Sequence, residues 1–186
     1  LSPFEYVSVV LSLILGLVVT QIIGGIADYI HHTAKVRFYW LWAVWVLFVF
    51  TLAIQEWFIE FKLQSIEAWT PRTLLFILAY PISLFLTTRF LFPSIGQDVL
   101  DLRIYYFEHY PRFFGAALFM AVMAIISNLF IEGYSLKEQY VQGAICLLLA
   151  GVLILRPSRP WIHQAIGLAM LASTLGYLIL SPEMLE

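Results

Sequence analysis

The sequence predicts an all-α, polytopic integral membrane protein. It would be a bundle of six transmembrane helices with a short interfacial amphipathic helix between helices three and four. Three observations lead there. The chain is 62% hydrophobic and only 12% charged, whereas soluble domains run about 45–50% apolar and about 25% charged. Its six apolar runs are each long enough to cross a hydrocarbon core of about 30 Å. The segments between those runs are short, so the 186 residues form one transmembrane domain.

The first span runs from about 4 to 30 and the second from about 38 to 61, the latter crowded with Trp40, Trp42, Trp45, Phe48, Phe50, Trp57 and Phe58. The third, about 71 to 92, starts with Pro71 where a first-turn proline belongs and carries Pro81, which should bend it. Residues 97–110 are too polar to span. Val99, Leu102, Tyr106 and Tyr110 nevertheless repeat at helical spacing, with Asp98, Asp101 and Glu108 mostly off the stripe. That pattern predicts an amphipathic helix lying in the interface, ended by Pro111. Spans four to six follow at about 113–131, 140–155 and 161–180.

Small residues set the expected packing. Ser8, Ser12, Gly16, Thr20 and Gly24 form an unbroken i, i+4 row on span one that ends in Asp28. In lipid, helix association rests on close backbone approach, and such rows mark where helices touch. Shorter rows occur on span four (Ala117, Ala121, Ala124, Asn128) and span six (Ala165, Ala169, Ala172, Gly176). The expectation is a tight core of spans one, four, five and six, with the aromatic spans two and three on its flank. The span-one row is longer than one bundle needs, which leaves room for a homo-oligomer or a membrane-protein partner.

Charge sets orientation and excludes some functions. Net charge is −2 with no Lys/Arg run, so the partner is the lipid bilayer and not a nucleic acid. With the N-terminus outside, Lys35, Arg37, Arg89, Arg103, Arg112, Arg156 and Arg159 fall inside, against Lys62, Arg72 and Lys137 outside. Seven against three places both termini outside the cytoplasm. No Lys or Arg precedes Lys35, so the first run is expected to be a retained span and not a signal peptide. Cys146 is the single cysteine, which excludes an intrachain disulfide.

Candidate chemistry gathers at the two membrane faces. Glu56 lies about one turn from the outer end of span two, beside Gln55 and four residues before Glu60, at the depth of Asn128. An acid at membrane depth is costly unless protonated, paired or hydrated, and so marks a candidate pathway. Pairing with Arg72 or Lys62, or hydration at the interface, is its structural alternative. On the inner side, Arg89 lies at the depth of Asp28 and near Gln21. It should either pair with Asp28 or snorkel to phosphates. His31 and His163, on the same side, could hold a metal, haem or quinone headgroup, although solvated loop histidines explain them as well. No catalytic, phosphate-binding or dinucleotide motif is present, and no cofactor is implied. At mid-depth stand Gly16, Thr51, Tyr80, Ser83, Cys146 and Ser173, with no charge and no amide.

The opening Ser2-Pro3-Phe4-Glu5-Tyr6-Val7-Ser8-Val9, running into Leu15-Gly16-Leu17 and Thr20-Gln21, resembles an uncharacterised family of small multispanning inner-membrane proteins of bacteria. Tyr39-Trp40 and Trp45 share the likeness, which covers roughly the first third of the chain. The resemblance implies a bacterial inner-membrane location and carries over no functional residue.

These features lead to a small channel or transporter for an ion, proton or small solute, with two polar vestibules separated by an apolar waist. A non-transporting membrane module, either a partner-binding subunit or a sensor, fits the missing mid-membrane path. A membrane redox or lipid-modifying enzyme would need the inner histidines.

Overall fold

A computed structural model describes residues 2–66, 69–96, 98–131 and 133–180, without the side chains of 62 and 65. It has six helical spans long and apolar enough to cross a membrane, formed by α1 (Pro3–His31), α2 (Trp40–Ile59), α3 (Pro71–Leu91), α4 (Leu102–Phe130), α5 (Tyr140–Leu155) together with the 3₁₀ turn Leu136–Gln139 before it, and α6 (Pro160–Leu180). The protein is a multi-pass all-α membrane bundle. We call the end holding the α1 C-terminus and α2 N-terminus the inner end.

Local chemistry fixes where the helices begin. Ser2 caps α1: its Oγ accepts from the Glu5 N–H at 3.1 Å, and Glu5 Oε2 accepts from the Ser2 N–H at 2.8 Å, a reciprocal capping box. Thr70 caps α3 from in front of Pro71, which takes the first-turn position its sequence predicts. Asp101 caps α4, accepting from the N–H groups of Arg103 and Ile104.

That last cap corrects one expectation. Residues 102–110 are helical, but they form the first third of α4 and not a separate interfacial helix. Pro111 lies inside α4 and does not end it; Gln97 lies outside the described residues. Leu102, Tyr106 and Tyr110 of the predicted stripe are buried, and the stripe continues without a break as Phe113, Phe114, Ala117 and Met120. The amphipathic face is therefore turned into the bundle, and its packing carries the helix through the one backbone hydrogen bond that proline removes.

A second expectation reverses outright. Of the most apolar stretch of each helix, 39% of α2 and of α3 is buried, against 22% for α1, α4 and α6 and 17% for the fifth span. The aromatic helices are thus the centre, and the small-faced helices surround them. Leu41, Trp45, Val49, Leu84 and Phe114 are completely enclosed. The antiparallel pairs α3–α4 and α4–α5 are extensive, whereas α6 packs chiefly on α2.

Close approach does occur, at two glycines outside the predicted rows. A Cβ on Gly25 of α1 would run into the Phe92 ring, and one on Gly167 of α6 would meet Leu41 Cδ1 at 2.9 Å and the Trp45 ring at 3.4 Å. Gly16 and Gly24, by contrast, have open space where a Cβ would stand. The buried stripe of α1 is Val7, Leu11, Leu15, Val18, Ile22, Gly25 and Tyr29. The row Ser8, Ser12, Gly16 is only half-buried, and Thr20, Gly24 and Asp28 face outward. Ala165, Ala169 and Ala172 of α6 also face outward.

The inner end carries a parallel bridge absent from the sequence reading. Val36–Arg37 pairs with Leu100–Asp101, joining the α1–α2 connection to the α3–α4 connection. Arg37 and Asp101 add an exposed ion pair at 3.9 Å.

Candidate functional site

Three groups of polar side chains in and beside the spans bear on function, and among these three only the last leaves acceptors without donors among the described residues. The first is a chain of hydrogen bonds at the inner end. An indole N–H can only donate, so Trp45 Nε1 donates to the Tyr106 hydroxyl at 3.2 Å. A carbonyl can only accept, so His163 Nε2–H donates to Pro157 O at 2.8 Å. His163 Nδ1 is therefore the acceptor for the Tyr106 O–H at 3.0 Å. With a neutral imidazole every direction in the relay follows.

This corrects the reading of His163 as a solvated or metal-ligating residue. It is 0% exposed, within an aromatic cage of Tyr106, Phe107, Tyr110 and Phe114 whose rings lie 4.7–6.1 Å from its own. Both ring nitrogens are engaged. His31 is exposed at the end of α1, and no group of three metal-ligating side chains exists among the described residues. The sequence hid this because the rings that enclose His163 all come from α4, Tyr106 lying 57 residues earlier in the chain.

The second group consists of hydroxyls that bond back to their own helices. Thr51 donates to Leu47 O, Thr87 to Ser83 O, Thr88 to Leu84 O and Thr174 to Met170 O, at 2.7–2.9 Å. Ser83 does the same to Ala79 O. Such bonds satisfy a hydroxyl locally and leave it no role in a water path. These hydroxyls are accordingly satisfied by their own helices.

The third group is at the outer end of α2. Gln55 and Glu56 lie in its last turns, and Glu60 opens the 3₁₀ turn Glu60–Ser65 that follows. Glu56 and Glu60 are one turn apart on one face, and Glu60 N–H still bonds to Glu56 O. Tyr80 of α3 stands within electrostatic reach of Glu56. Glu60 is only 5% exposed, and neither its Oε1 nor Gln55 Oε1 has a hydrogen-bond partner among the described residues. Burial pushes the Glu60 carboxyl up to about 7. A carboxyl so placed takes up and releases a proton near neutral pH.

The remaining predicted site residues are dispersed. Asn128 Nδ2 donates to Gln139 Oε1 at 2.9 Å, tying α4 to the turn before α5 and not to Glu56. Arg89 Nη1 donates to Gln21 Oε1 at 3.3 Å. The expected Asp28–Arg89 pair is absent among the described residues, because Asp28 lies seven residues beyond Gln21, about 10 Å further along α1. The Lys62 side chain, an expected partner for Glu56, lies outside the described residues. Sequence reading singled out Glu56 and passed over Glu60. The available clue was its i+4 spacing at the mouth of a short connection.

Compared with known proteins, the chain matches no family, no curated protein and no solved structure. Its chemistry therefore rests on its own side chains.

Proposed function

We propose that this protein is a small transport protein, a channel or carrier for protons or a small cation, whose loading site is the outer end of α2 at Glu56 and Glu60. The observation that carries the reading is the buried Glu60 carboxyl, with one oxygen lacking any donor among the described residues. Bare carboxylates are expensive at membrane depth, so a proton or cation is the natural occupant. The Lys/Arg asymmetry supports an orientation with both termini outside the cytoplasm, and the resemblance of the opening residues supports a bacterial inner-membrane setting.

The test is proton and monovalent-cation flux in proteoliposomes, comparing the parent with Glu60→Gln and Glu56→Gln. The expected result is a loss of about tenfold or more in Glu60→Gln while the protein stays folded, the size of effect given by removing one essential ionisable group. Parent protein that moves no ion under any gradient would sink the reading.

A second reading is favoured by the self-bonded interior hydroxyls: a non-transporting module that binds a membrane partner or a second copy through α1. The open positions at Gly16 and Gly24 support it. A protein that copurifies with the parent and is lost with Gly16→Leu or Gly24→Leu is its expected signature.

A further inference from the structure

The inner end of α1, α3 and α4 carries a cationic constellation that the transport reading does not use. Gln21, Arg89 and Arg112 each stand eighteen residues from the outer end of their helices. At about 1.5 Å per residue, all three lie about 27 Å along the bundle, where hydrocarbon gives way to headgroups. Arg89 bonds to Gln21 across α1 and α3. The guanidinium groups of Arg89 and Arg112 both act on the phenol of Tyr105, whose hydroxyl donates to Phe90 O at 3.0 Å and so pins α4 to α3 there. His109 stacks on Tyr105 with centroids 4.4 Å apart. Its Nδ1–H donates to the Tyr105 carbonyl at 3.1 Å.

Both arginines are exposed, and neither pairs with a carboxylate among the described residues. Glu108, one turn before Arg112, makes no ion pair with it, nor does Asp28 with Arg89. Two guanidinium groups at headgroup depth without a carboxylate partner call for an oxyanion such as a phosphodiester, which their fork of donors fits bidentately. Toward the midplane the strip continues apolar. Leu17 precedes Gln21 by four residues, and Ile82 and Leu86 precede Arg89 by seven and three, all three exposed. Phosphate at one end and a hydrocarbon strip leading away from it describe a lipid.

We propose that Gln21, Arg89 and Arg112, arranged around Tyr105 and His109, form a headgroup site for one anionic phospholipid whose acyl chains lie along Leu17, Ile82 and Leu86. Basic pockets between transmembrane helices on one leaflet are the sites where anionic headgroups are held.

The test uses the full chain in nanodiscs of equal phosphatidylglycerol and phosphatidylcholine, with retained lipid counted by native mass spectrometry. The parent should retain phosphatidylglycerol in preference. Arg89→Gln or Arg112→Gln should each weaken that preference about fivefold, and the double variant about 25-fold. Equal retention of the two lipids by the parent overturns the proposal without recourse to any variant, so a variant that fails to fold does not shelter it. A double variant that keeps the preference also overturns it. Inorganic phosphate in detergent, protecting the parent against heating as well as phosphatidylglycerol does, would reassign the site to free phosphate.

Discussion

The two ends of α2 differ in how they treat their buried polar groups, the Tyr39 hydroxyl being the one orphan at the inner end among the described residues. At the inner end the Trp42 indole donates to Leu91 O at 2.7 Å, and Trp45 starts a relay through Tyr106 and His163 that ends on a backbone carbonyl. At the outer end the side-chain oxygens of Gln55 and Glu60 are buried with no donor among the described residues. Buried polar groups with all their partners hold one arrangement of neighbouring helices, whereas orphaned acceptors cost stability and persist where something else fills them. The inner end of α2 is built for structure, and the outer end is where chemistry is to be sought.

The comparison breaks first at His163. His163→Ala removes the acceptor for Tyr106 and the donor to Pro157, and opens a hole inside an aromatic cage. A loss of about 3 kcal/mol is expected, read as a lower unfolding midpoint in detergent. Tyr106→Phe, which keeps the ring and orphans only Trp45 and His163, should cost about half as much. If neither moves the midpoint, the inner relay is not what holds α2, α4 and α6 together.

Acidity sharpens the outer half. Glu60 has its carboxyl raised from 4.5 to about 7 by burial, so the folded state binds the proton more tightly than the unfolded one. Its contribution is fully present below pH 4.5 and is lost as pH rises through about 7. Thermal stability should therefore fall across that window by up to about 3 kcal/mol, and Glu60→Gln should flatten the profile. A parent profile that rises over the same range would contradict a buried, proton-holding Glu60.

The smallest effect tests the difference in sign. Gln55→Leu replaces an orphan acceptor by an apolar group of similar size and should leave the midpoint unchanged or raise it by about 1 kcal/mol. Any comparable deletion at the inner end lowers it. A clear loss at Gln55 would mean that the oxygen has a structural partner after all.

Much of the fold was legible because hydrocarbon thickness dictates length and apolarity. Six spans and the Pro71 start could be read directly. Burial could not be. Small residues permit close approach, but they record it only when a large side chain from elsewhere points at them. Phe92 points at Gly25, one residue beyond the predicted row, and Leu41 and Trp45 point at Gly167. No property of α1 or α6 alone reveals where those knobs fall. The stripe through Tyr106 and Tyr110 shows the same limit: its helical period was right, but amphipathicity does not say whether the apolar side meets lipid or protein. At the candidate site, Glu56 was found from its depth, whereas the burial of Glu60 depends on how the following turn folds back.

The 3₁₀ winding ahead of α5 has a further consequence. With 16 residues, α5 is about 24 Å long, short of a hydrocarbon slab of about 30 Å. The four residues Leu136–Gln139 rise faster per residue and contribute about 8 Å more. The fifth crossing therefore reaches both surfaces by winding its first turn more tightly. Its neighbour α4, with 29 residues, is about 43 Å long and overshoots the slab. A crossing that only just spans the slab therefore stands beside one that overshoots it by about 13 Å, and the α4–α5 flank is one place where this protein presses on the thickness of its membrane.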